Sequence, residues 1–542
     1  MEDFVQMPSK TRIFFLNALS LTLTALIMRG VGVAFNIYIS NRAGSEVMGL
    51  YSLLGSVYGF SITLATAGIN LGTTRLVSDA LGIGDTSLAR ACVKRAMLCC
   101  IISGSLATAL LFSLSPFIAS KILGDIRAIR SLRILASTLV PIAVCSCLSG
   151  YFTAVRRVKI NAAFQILIQL SKIACTVFLL SMLLDKGTEE ACIALVLGGA
   201  ISEFVSLLIT YSLYRHDLRQ ISTAATESTC EQPRGITKKL LSITLPVTFS
   251  ACIRSALTMF QHVLVPKGLK ANGRSWSAAL SSYGALHGMA LPVVLFPSAF
   301  ISAFSGLLIP EVSECVVQNN SMRLQRVAYR SLTLSLIFSM GISGIMLFFS
   351  RELGILIYNS EETAEYIRIL APLIPVMYID SAVDAILKGS GHQVYSMNVN
   401  IADALTSCIL ALTLIPKLGI TGYIISIYAT EILNTTLSLY KMITVSKMRP
   451  KVFHQVFMPV LCIIGATNGA KLLLMPTNEI RFGIWSLILH ILLTVTLYLL
   501  LLRATGTLGC DEMEFLQASL LSEKRYDEKF RSHIEKNKYP AS

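Results

Sequence analysis

Arg29 is the residue whose chemistry is least compatible with its surroundings. It lies in the apolar stretch 11–40, roughly 25 Å along a helix from Arg12 and roughly 20 Å from Arg42. A guanidinium that faced lipid at this depth would cost about 3 kcal/mol on insertion scales. Arg29 therefore indicates a polar cavity inside a helical bundle, or a structural arginine bonded to carbonyls at a helix break near residues 30–32.

Arg254 repeats this arrangement in the second half of the sequence. It lies at nearly the same depth as Arg29 in its own apolar stretch, between Lys239 and Lys267. Because charged residues buried in a membrane mark substrate or ion pathways by default, we predict that Arg29 and Arg254 bind a substrate from opposite sides of one cavity.

A polar helical face adds further candidate substrate-binding residues. Gln165, Gln169 and Lys172 follow the spacing i, i+4 and i+7, which places them on one side of a helix. We predict that this face contributes polar walls and one positive charge to the same cavity.

Oxygen-bearing side chains at membrane depth are the candidates for ion coupling, and they are Asn400, Asp403, Ser407, Glu203 and Glu431. The first three share a helical face, and the two glutamates lie near mid-membrane in the last helices of two repeated halves. Such oxygens suit Na⁺ or a proton as the coupling ion. Hydrogen bonds between helices would explain the same residues, and a buried carboxylate can simply be protonated.

The amino-acid composition indicates a membrane protein. The 542 residues are 54% hydrophobic and 14% charged, with a net charge of +15. The basic residues lie in short loops between apolar stretches, so they indicate topology and contact with membrane lipid rather than nucleic acid. By the positive-inside rule, both termini are predicted to be cytoplasmic.

About 14 transmembrane helices are predicted from the requirement of roughly 20 apolar residues per span. They cover 12–40, 46–73, 91–114, 131–155, 160–184, 190–214, 238–265, 277–307, 324–350, 366–387, 394–415, 419–445, 455–475 and 481–503. The fold class is an all-α polytopic membrane protein.

The two halves of the sequence repeat. LRILASTLVP from Leu132 matches IRILAPLIPV from Ile367, and SLYR at 212–215 matches SLYK at 438–441. Two parallel six-helix lobes are therefore predicted. The predicted boundaries are 1–219 for the N-lobe, 220–237 for a cytoplasmic linker, 238–447 for the C-lobe, 448–504 for two extra helices and 505–542 for a cytoplasmic tail.

Enzymatic sites are not evident. The sequence has no GxxxxGK[ST] segment, no long outer loop and no cysteine or histidine spacing typical of a metal site. We predict no catalytic residue, no metal and no cofactor apart from a coupling ion, and hence a secondary transporter.

Three segments resemble the multidrug/oligosaccharidyl-lipid/polysaccharide exporter superfamily, in its stage V sporulation protein B and polysaccharide-transporter branch. They are RAGSEVMGLYSLLGSVYGFSITLATAGINLGTTRLVSDALGIGD at 42–85, SGYFTAVRRVKINAAFQILIQLSKI at 149–173 and FPSAFISAFSGLLIPEVSE at 296–314. The resemblance implies two lobes in a V around a central cavity, with two appended helices, as in the related lipid II flippases. It also implies a flippase that moves an undecaprenyl-pyrophosphate-linked sugar, such as a peptidoglycan precursor or polysaccharide repeat unit, across a bacterial plasma membrane. Arg29 and Arg254 would then bind the pyrophosphate, because arginine makes bidentate hydrogen bonds to phosphate oxygens. We expect the transporter to be a monomer.

Two other functions remain as alternatives. A cation-coupled multidrug exporter of the same superfamily would favour intramembrane acids and aromatics, against which Arg29 and Arg254 argue. A polymerase or ligase of sugar lipids would need a sizeable outer loop with catalytic residues, and the predicted outer loops are short.

Overall fold

The computed structural model describes residues 9–66, 68–83, 85–155, 158–224, 235–448, 453–474 and 484–507, and these residues form helices without any strand. Helices dominate because a chain in lipid must satisfy its backbone hydrogen bonds internally. In chain order they are α1 (Ser9–Thr66), α2 (Ile69–Gly82), α3 (Thr86–Phe117), α4 (Ala128–Ser137), α5 (Leu139–Ala154), α6 (Val158–Leu183), α7 (Thr188–Ala224), α8 (Ile236–Ala271), α9 (Trp276–Tyr283), α10 (Leu291–Leu295), α11 (Ser298–Val317), α12 (Ser321–Phe348), α13 (Ser350–Tyr358), α14 (Glu361–Leu370), α15 (Ile374–Gly389), α16 (Gln393–Leu418), α17 (Ile420–Ser446), α18 (Met458–Leu474) and α19 (Ile484–Ala504). A π-helical turn, Gly284–Ala290, joins α9 to α10.

Thirteen helical stretches within the described residues are long and apolar enough to cross a membrane. This number agrees with the prediction of about 14 spans, and the protein is an all-α, multi-pass membrane protein. The predicted spans 12–40 and 46–73 form much of one helix, α1, which bends at Gly44, where φ is 81°. Glycine permits this left-handed backbone conformation without a steric penalty. Residues 225–234 of the predicted linker, and the predicted tail beyond residue 507, lie outside the described residues.

The prediction of one uninterrupted span over 277–307 is wrong. The helix stops at Leu295 and restarts at Ser298, because Pro297 has no backbone N–H and disfavours helical backbone at Phe296. The second span of the first half is interrupted too, since α1 ends at Thr66 and α2 begins at Ile69. The restarts at residues 69 and 298 are 229 positions apart, close to the spacing of the sequence repeat.

The helices pack as two compact units. The cavity unit comprises Gly30–Pro292 and Asn400–Thr430, and the Arg29 unit comprises Met1–Arg29, Val293–Val399 and Glu431–Ser542. This division follows packing, whereas the predicted lobes follow the sequence repeat. The lobe boundaries therefore stay a prediction.

The Arg29 unit has an apolar core between α11, α12, α15 and α17. Leu308, Leu332, Ile386 and Met442 are almost completely buried there. The extra helices α18 and α19 pack on the same unit, where the Tyr498 hydroxyl donates to the Ile337 carbonyl at 2.8 Å. The Tyr498 ring is therefore buried among apolar side chains while its hydroxyl group keeps a hydrogen bond.

Two close helix contacts organise the cavity unit. A Cβ atom on Gly49 of α1 would overlap the Leu280 carbonyl of α9, and one on Gly284 would overlap the Ser45 carbonyl. Farther along the chain, Gly68 also packs on the backbone of Thr244 in α8, where a Cβ atom would lie 2.7 Å from the Thr244 carbonyl oxygen. Glycine is therefore required where α1 crosses α9, since a side chain there would separate the backbones.

Candidate functional site

A cavity of about 660 Å³ lies within the cavity unit. Its walls come from α1, α6, α7, α8, the π-helical turn and α10, with Leu135 contributed by α4. Along α1 the lining residues run from Gly32 to Gly59, past the crossing at Gly49. Polar side chains in the lining include Tyr51, Gln169, Lys172, Glu203, His262 and His287.

Lys172 and Gln169 of α6 reach the cavity because small residues face them. A Cβ atom on Gly199 of α7 would lie 4.0 Å from Lys172 Cε, and one on Gly32 of α1 would lie 3.8 Å from Gln169 Nε2. Any larger residue at Gly32 or Gly199 would narrow the space that these side chains occupy. The glycines therefore position a cation and an amide at the cavity wall.

Glu203 of α7 lines the same cavity and interacts electrostatically with Lys172, without a direct ion pair between the two described side chains. The cavity thus contains one basic and one acidic group on neighbouring helices. Charges left partly uncompensated inside a membrane protein mark substrate or ion pathways by default. The structure therefore brings together three predicted residues, Gln169, Lys172 and Glu203.

Arg29 lies in the Arg29 unit and contacts the helix break at Pro297. Its Nη2 atom donates to the Leu295 carbonyl at 2.9 Å and to Ser298 Oγ at 3.1 Å. The predicted alternative of carbonyl bonding is thus observed, but at the end of α10. The helix α1 continues without a break through residues 30–32. The side chain is exposed, and Nε and Nη1 have no hydrogen-bond partner among the described residues.

Arg254 and Gln165 do not line the cavity. The Arg254 side chain is exposed on α8 and makes no hydrogen bond or ion pair with the described residues, although Ser255, its neighbour, lines the cavity. Gln165 is exposed two turns before Lys172. Because Arg29 and Arg254 belong to different units, their approach to one substrate stays a prediction.

The remaining candidates for ion coupling are spread over both units. Asp403 of α16 has a buried Oδ1 atom without a hydrogen-bond partner among the described residues, and Ser407 is buried one turn later. Neither these two residues nor Asn400 lines the cavity. Glu431 of α17 is half-buried in the Arg29 unit. A role for these four residues in coupling remains a prediction.

Sequence reasoning missed a ring cluster at the cavity. His262 of α8 and His287 of the π-helical turn lie with ring centroids 4.4 Å apart, and Tyr283 stacks on His287 at 5.3 Å. Neither His262 nor His287 is among the candidates predicted from the sequence. The available signal was the occurrence of both histidines in apolar spans, but spacing alone does not bring separate helices together.

A polar network lies beside the crossing of α1 and α9. Arg127 forms a bidentate pair with Asp125 and a 3.0 Å bond to Glu46, while the Trp276 indole donates to Asp125 at 2.9 Å. Burial raises the pKa of Asp125, but hydrogen bonds from Arg127 and Trp276 outweigh it, so this pKa lies below its ordinary value. The hydrogen bond to Asp125 likewise raises the pKa of Arg127. The network therefore holds the α3–α4 connection against α1 through the ion pair of Arg127 with Glu46, and against α9 through the hydrogen bond from Trp276.

A family model described as polysaccharide biosynthesis protein matches residues 14–316, more than half of the sequence. The chain belongs to this family. A second model, MatE, matches residues 273–413. Both family models agree with the predicted membership of the multidrug/oligosaccharidyl-lipid/polysaccharide exporter superfamily.

The chain is 27% identical over 452 residues to Stage V sporulation protein B of Bacillus subtilis (strain 168), covering 81% of this chain and 84% of that protein. It is 21% identical over 379 residues to Sporulation protein YkvU of the same organism, covering 68% and 81%. Among solved structures, the lipid II flippase MurJ in an inward closed conformation aligns with a TM-score of 0.65 and 13% identity, covering 91% of this chain and 99% of MurJ. An inward-facing MATE transporter aligns with a TM-score of 0.58 and 14% identity, covering 80% and 99%. At these identities the structural matches establish the fold alone.

Proposed function

We propose that this member of the polysaccharide biosynthesis protein family is a flippase for an undecaprenyl-pyrophosphate-linked sugar. The observation that carries the proposal is Lys172, a cation at the wall of a 660 Å³ cavity between membrane helices. A pyrophosphate that leaves water needs cationic donors, and its sugar needs polar groups. Lys172 supplies the first, and Gln169 contributes to the second.

Arg29 and Arg254 extend this proposal as further phosphate-binding cations. Arg29 has donors left after its bonds to the break at Pro297, and the exposed Arg254 has all of its donors left among the described contacts. Arginine suits phosphate better than lysine because its planar fork donates two parallel hydrogen bonds. We propose alternating access as the transport mechanism, with Na⁺ or a proton as coupling ion.

The proposal also covers the cellular setting. We propose a monomer in the plasma membrane of a bacterium, with both termini cytoplasmic and a lipid-linked oligosaccharide and membrane lipid as its partners. The protein would act as a transporter without catalytic chemistry of its own. The matched Stage V sporulation protein B and the flippase MurJ support this class of function.

A cation-coupled multidrug exporter is the second candidate. Glu203 and the aromatic Tyr51 and Tyr58 line the cavity, and an acid with aromatic rings suits a lipophilic cation. The MATE fold match supports this candidate as well. Lys172 argues against it, because it repels a cationic substrate from the same cavity.

Reconstituted protein distinguishes the two candidates. Proteoliposomes would receive either a fluorescent undecaprenyl-pyrophosphate disaccharide or a lipophilic cationic dye, and accessibility of the label to an external quencher would report translocation. We expect translocation of the sugar lipid and none of the dye. Dye export without sugar-lipid movement would establish the exporter and reject the flippase.

A further inference from the structure

His262 and His287 form one polar wall of the cavity, and Tyr283 packs behind them. The Tyr283 hydroxyl is hydrogen-bonded to His262 Nδ1 at 3.1 Å, and the Tyr283 ring lies within 7° of parallel to that of His287. Tyr283 is completely buried and contacts both imidazoles. The histidine rings themselves line the cavity.

The contacts of this cluster favour neutral rings. Two imidazolium ions with centroids 4.4 Å apart would repel each other, and no described carboxylate forms a hydrogen bond or ion pair with either ring. His287 Nδ1 is buried without a hydrogen-bond partner among the described residues. The Nδ1 atom of His262 is occupied and that of His287 is buried, so each neutral ring has its Nε2 atom left to bond a hydroxyl group, as donor or acceptor according to the tautomer.

The neighbouring positions continue this uncharged surface. Tyr51 and Ser52 of α1 and Thr258 of α8 line the same cavity. The Tyr51 hydroxyl has no hydrogen-bond partner among the described residues. The charged lining residues lie on other helices, Lys172 on α6 and Glu203 on α7. The cavity thus has a charged wall and a wall of rings and hydroxyls.

We propose that the wall formed by His262, His287 and Tyr51 binds the sugar of the substrate, while Lys172 binds its pyrophosphate. This inference rests on the proposed flippase function and names the part of the substrate that each wall recognises. A pyranose offers hydroxyl groups to imidazole and tyrosine, and its C–H faces pack on ring planes. Gly284, which packs against the Ser45 carbonyl of α1, lies on the same π-helical turn as His287. The sugar therefore binds beside this close contact between helices.

Two lipids that differ only in the sugar test the inference. Affinity of the reconstituted protein would be measured for undecaprenyl pyrophosphate and for its disaccharide-bearing form. We expect His262→Gln and His287→Gln each to weaken binding of the disaccharide lipid about tenfold, and to change binding of the sugar-free lipid less than about twofold. Lys172→Ala should weaken binding of both lipids.

Tyr51→Phe removes one hydroxyl and little else, so it tests the wall without endangering the fold. We expect it to weaken disaccharide binding about threefold. His490→Gln is the matched control, since this membrane histidine bonds the Ser486 carbonyl in the other unit. Equal weakening for both lipids in well-folded histidine and Tyr51 variants would overturn the sugar wall alone. Failure of the unmodified protein to bind either lipid would overturn the proposed function with it.

Discussion

Lys172 differs in environment from Gln165 although both were expected on one helical face. Lys172 lines the cavity, whereas Gln165 is exposed two turns earlier. Lys172→Ala should lower the rate of sugar-lipid transport about tenfold, because a charge-assisted hydrogen bond to phosphate is lost. Gln165→Ala should leave the rate unchanged. Initial rates in proteoliposomes check this, and equal losses for both variants would contradict a specific role of Lys172.

Arg29 offers a second test at the level of one residue. The Leu295 carbonyl that it bonds also accepts a 2.7 Å hydrogen bond from Ser298 Oγ, so this carbonyl keeps a donor when Arg29 is removed. Arg29→Ala should therefore abolish transport while membrane abundance stays normal, and Arg29→Lys should retain partial activity. Quantitative blotting beside a transport assay separates the effects. Parallel loss of protein and activity would mean that Arg29 is structural.

The convergence of residues from separate helices marks the limit of sequence reasoning. Helical periodicity is local, so the spacing of Gln165, Gln169 and Lys172 predicts one helical face, and the structure brings Gln169 and Lys172 of that face to the cavity. The partners Leu295 and Ser298 of Arg29 lie more than 260 positions away and depend on a break in another helix. Tertiary packing alone brings such groups together, and the same holds for His262 and His287.

At the level of elements, the crossing of α1 and α9 depends on glycine. Gly49→Ala should lower the free energy of unfolding by about 1–3 kcal/mol, because the added methyl group overlaps the Leu280 carbonyl. Gly306→Ala is the control, since no atom lies near its hypothetical Cβ, and it should be neutral or slightly stabilising. Thermal denaturation in detergent measures both. A Gly49→Ala protein as stable as the parent would show that the helices separate at no cost.

The Asp125 network should make stability depend on pH. Its pKa is lowered on folding, so its contribution is present above the ordinary value near 3.8 and is lost as pH falls through the lower folded value. Asp125→Asn should destabilise the protein by roughly 1–3 kcal/mol at pH 7, with a difference that shrinks below pH about 4. Asp185→Asn, at an exposed position, should have no effect. Denaturation series at several pH values measure the difference in unfolding free energy between the parent and Asp125→Asn. A difference that is absent, or that stays the same at every pH, would contradict this role of the Asp125 charge.

The helix ends illustrate what an apolar pattern can and cannot predict. Most spans were located correctly because length and hydropathy determine membrane insertion. The break at Pro297 was missed, although proline signals it, because flanking residues stay apolar on both sides. The bend at Gly44 leaves no mark in hydropathy, since glycine is equally common at helix interfaces.

At the scale of the whole molecule, the distribution of basic residues predicts the orientation in the membrane. Reporter fusions at Lys239 and after residue 542 should both read as cytoplasmic, and a fusion at Ser360, beside the acidic residues Glu361 and Glu362, should read as external. An external signal at Lys239 would contradict the predicted arrangement of two parallel six-helix lobes. The fold class followed from composition, whereas the division into packed units followed from contacts that no local pattern contains.

The contact between Ser45 of α1 and Ser281 of α9 is a suitable position for an engineered disulfide bond. The Ser45 and Ser281 hydroxyls lie 2.6 Å apart, so cysteines at both positions would bring two thiols within disulfide range. Oxidant would clamp α1 to α9, and reductant would release them. A single preparation would then supply both a trapped and a free sample, so that any process requiring these helices to part could be switched off and on.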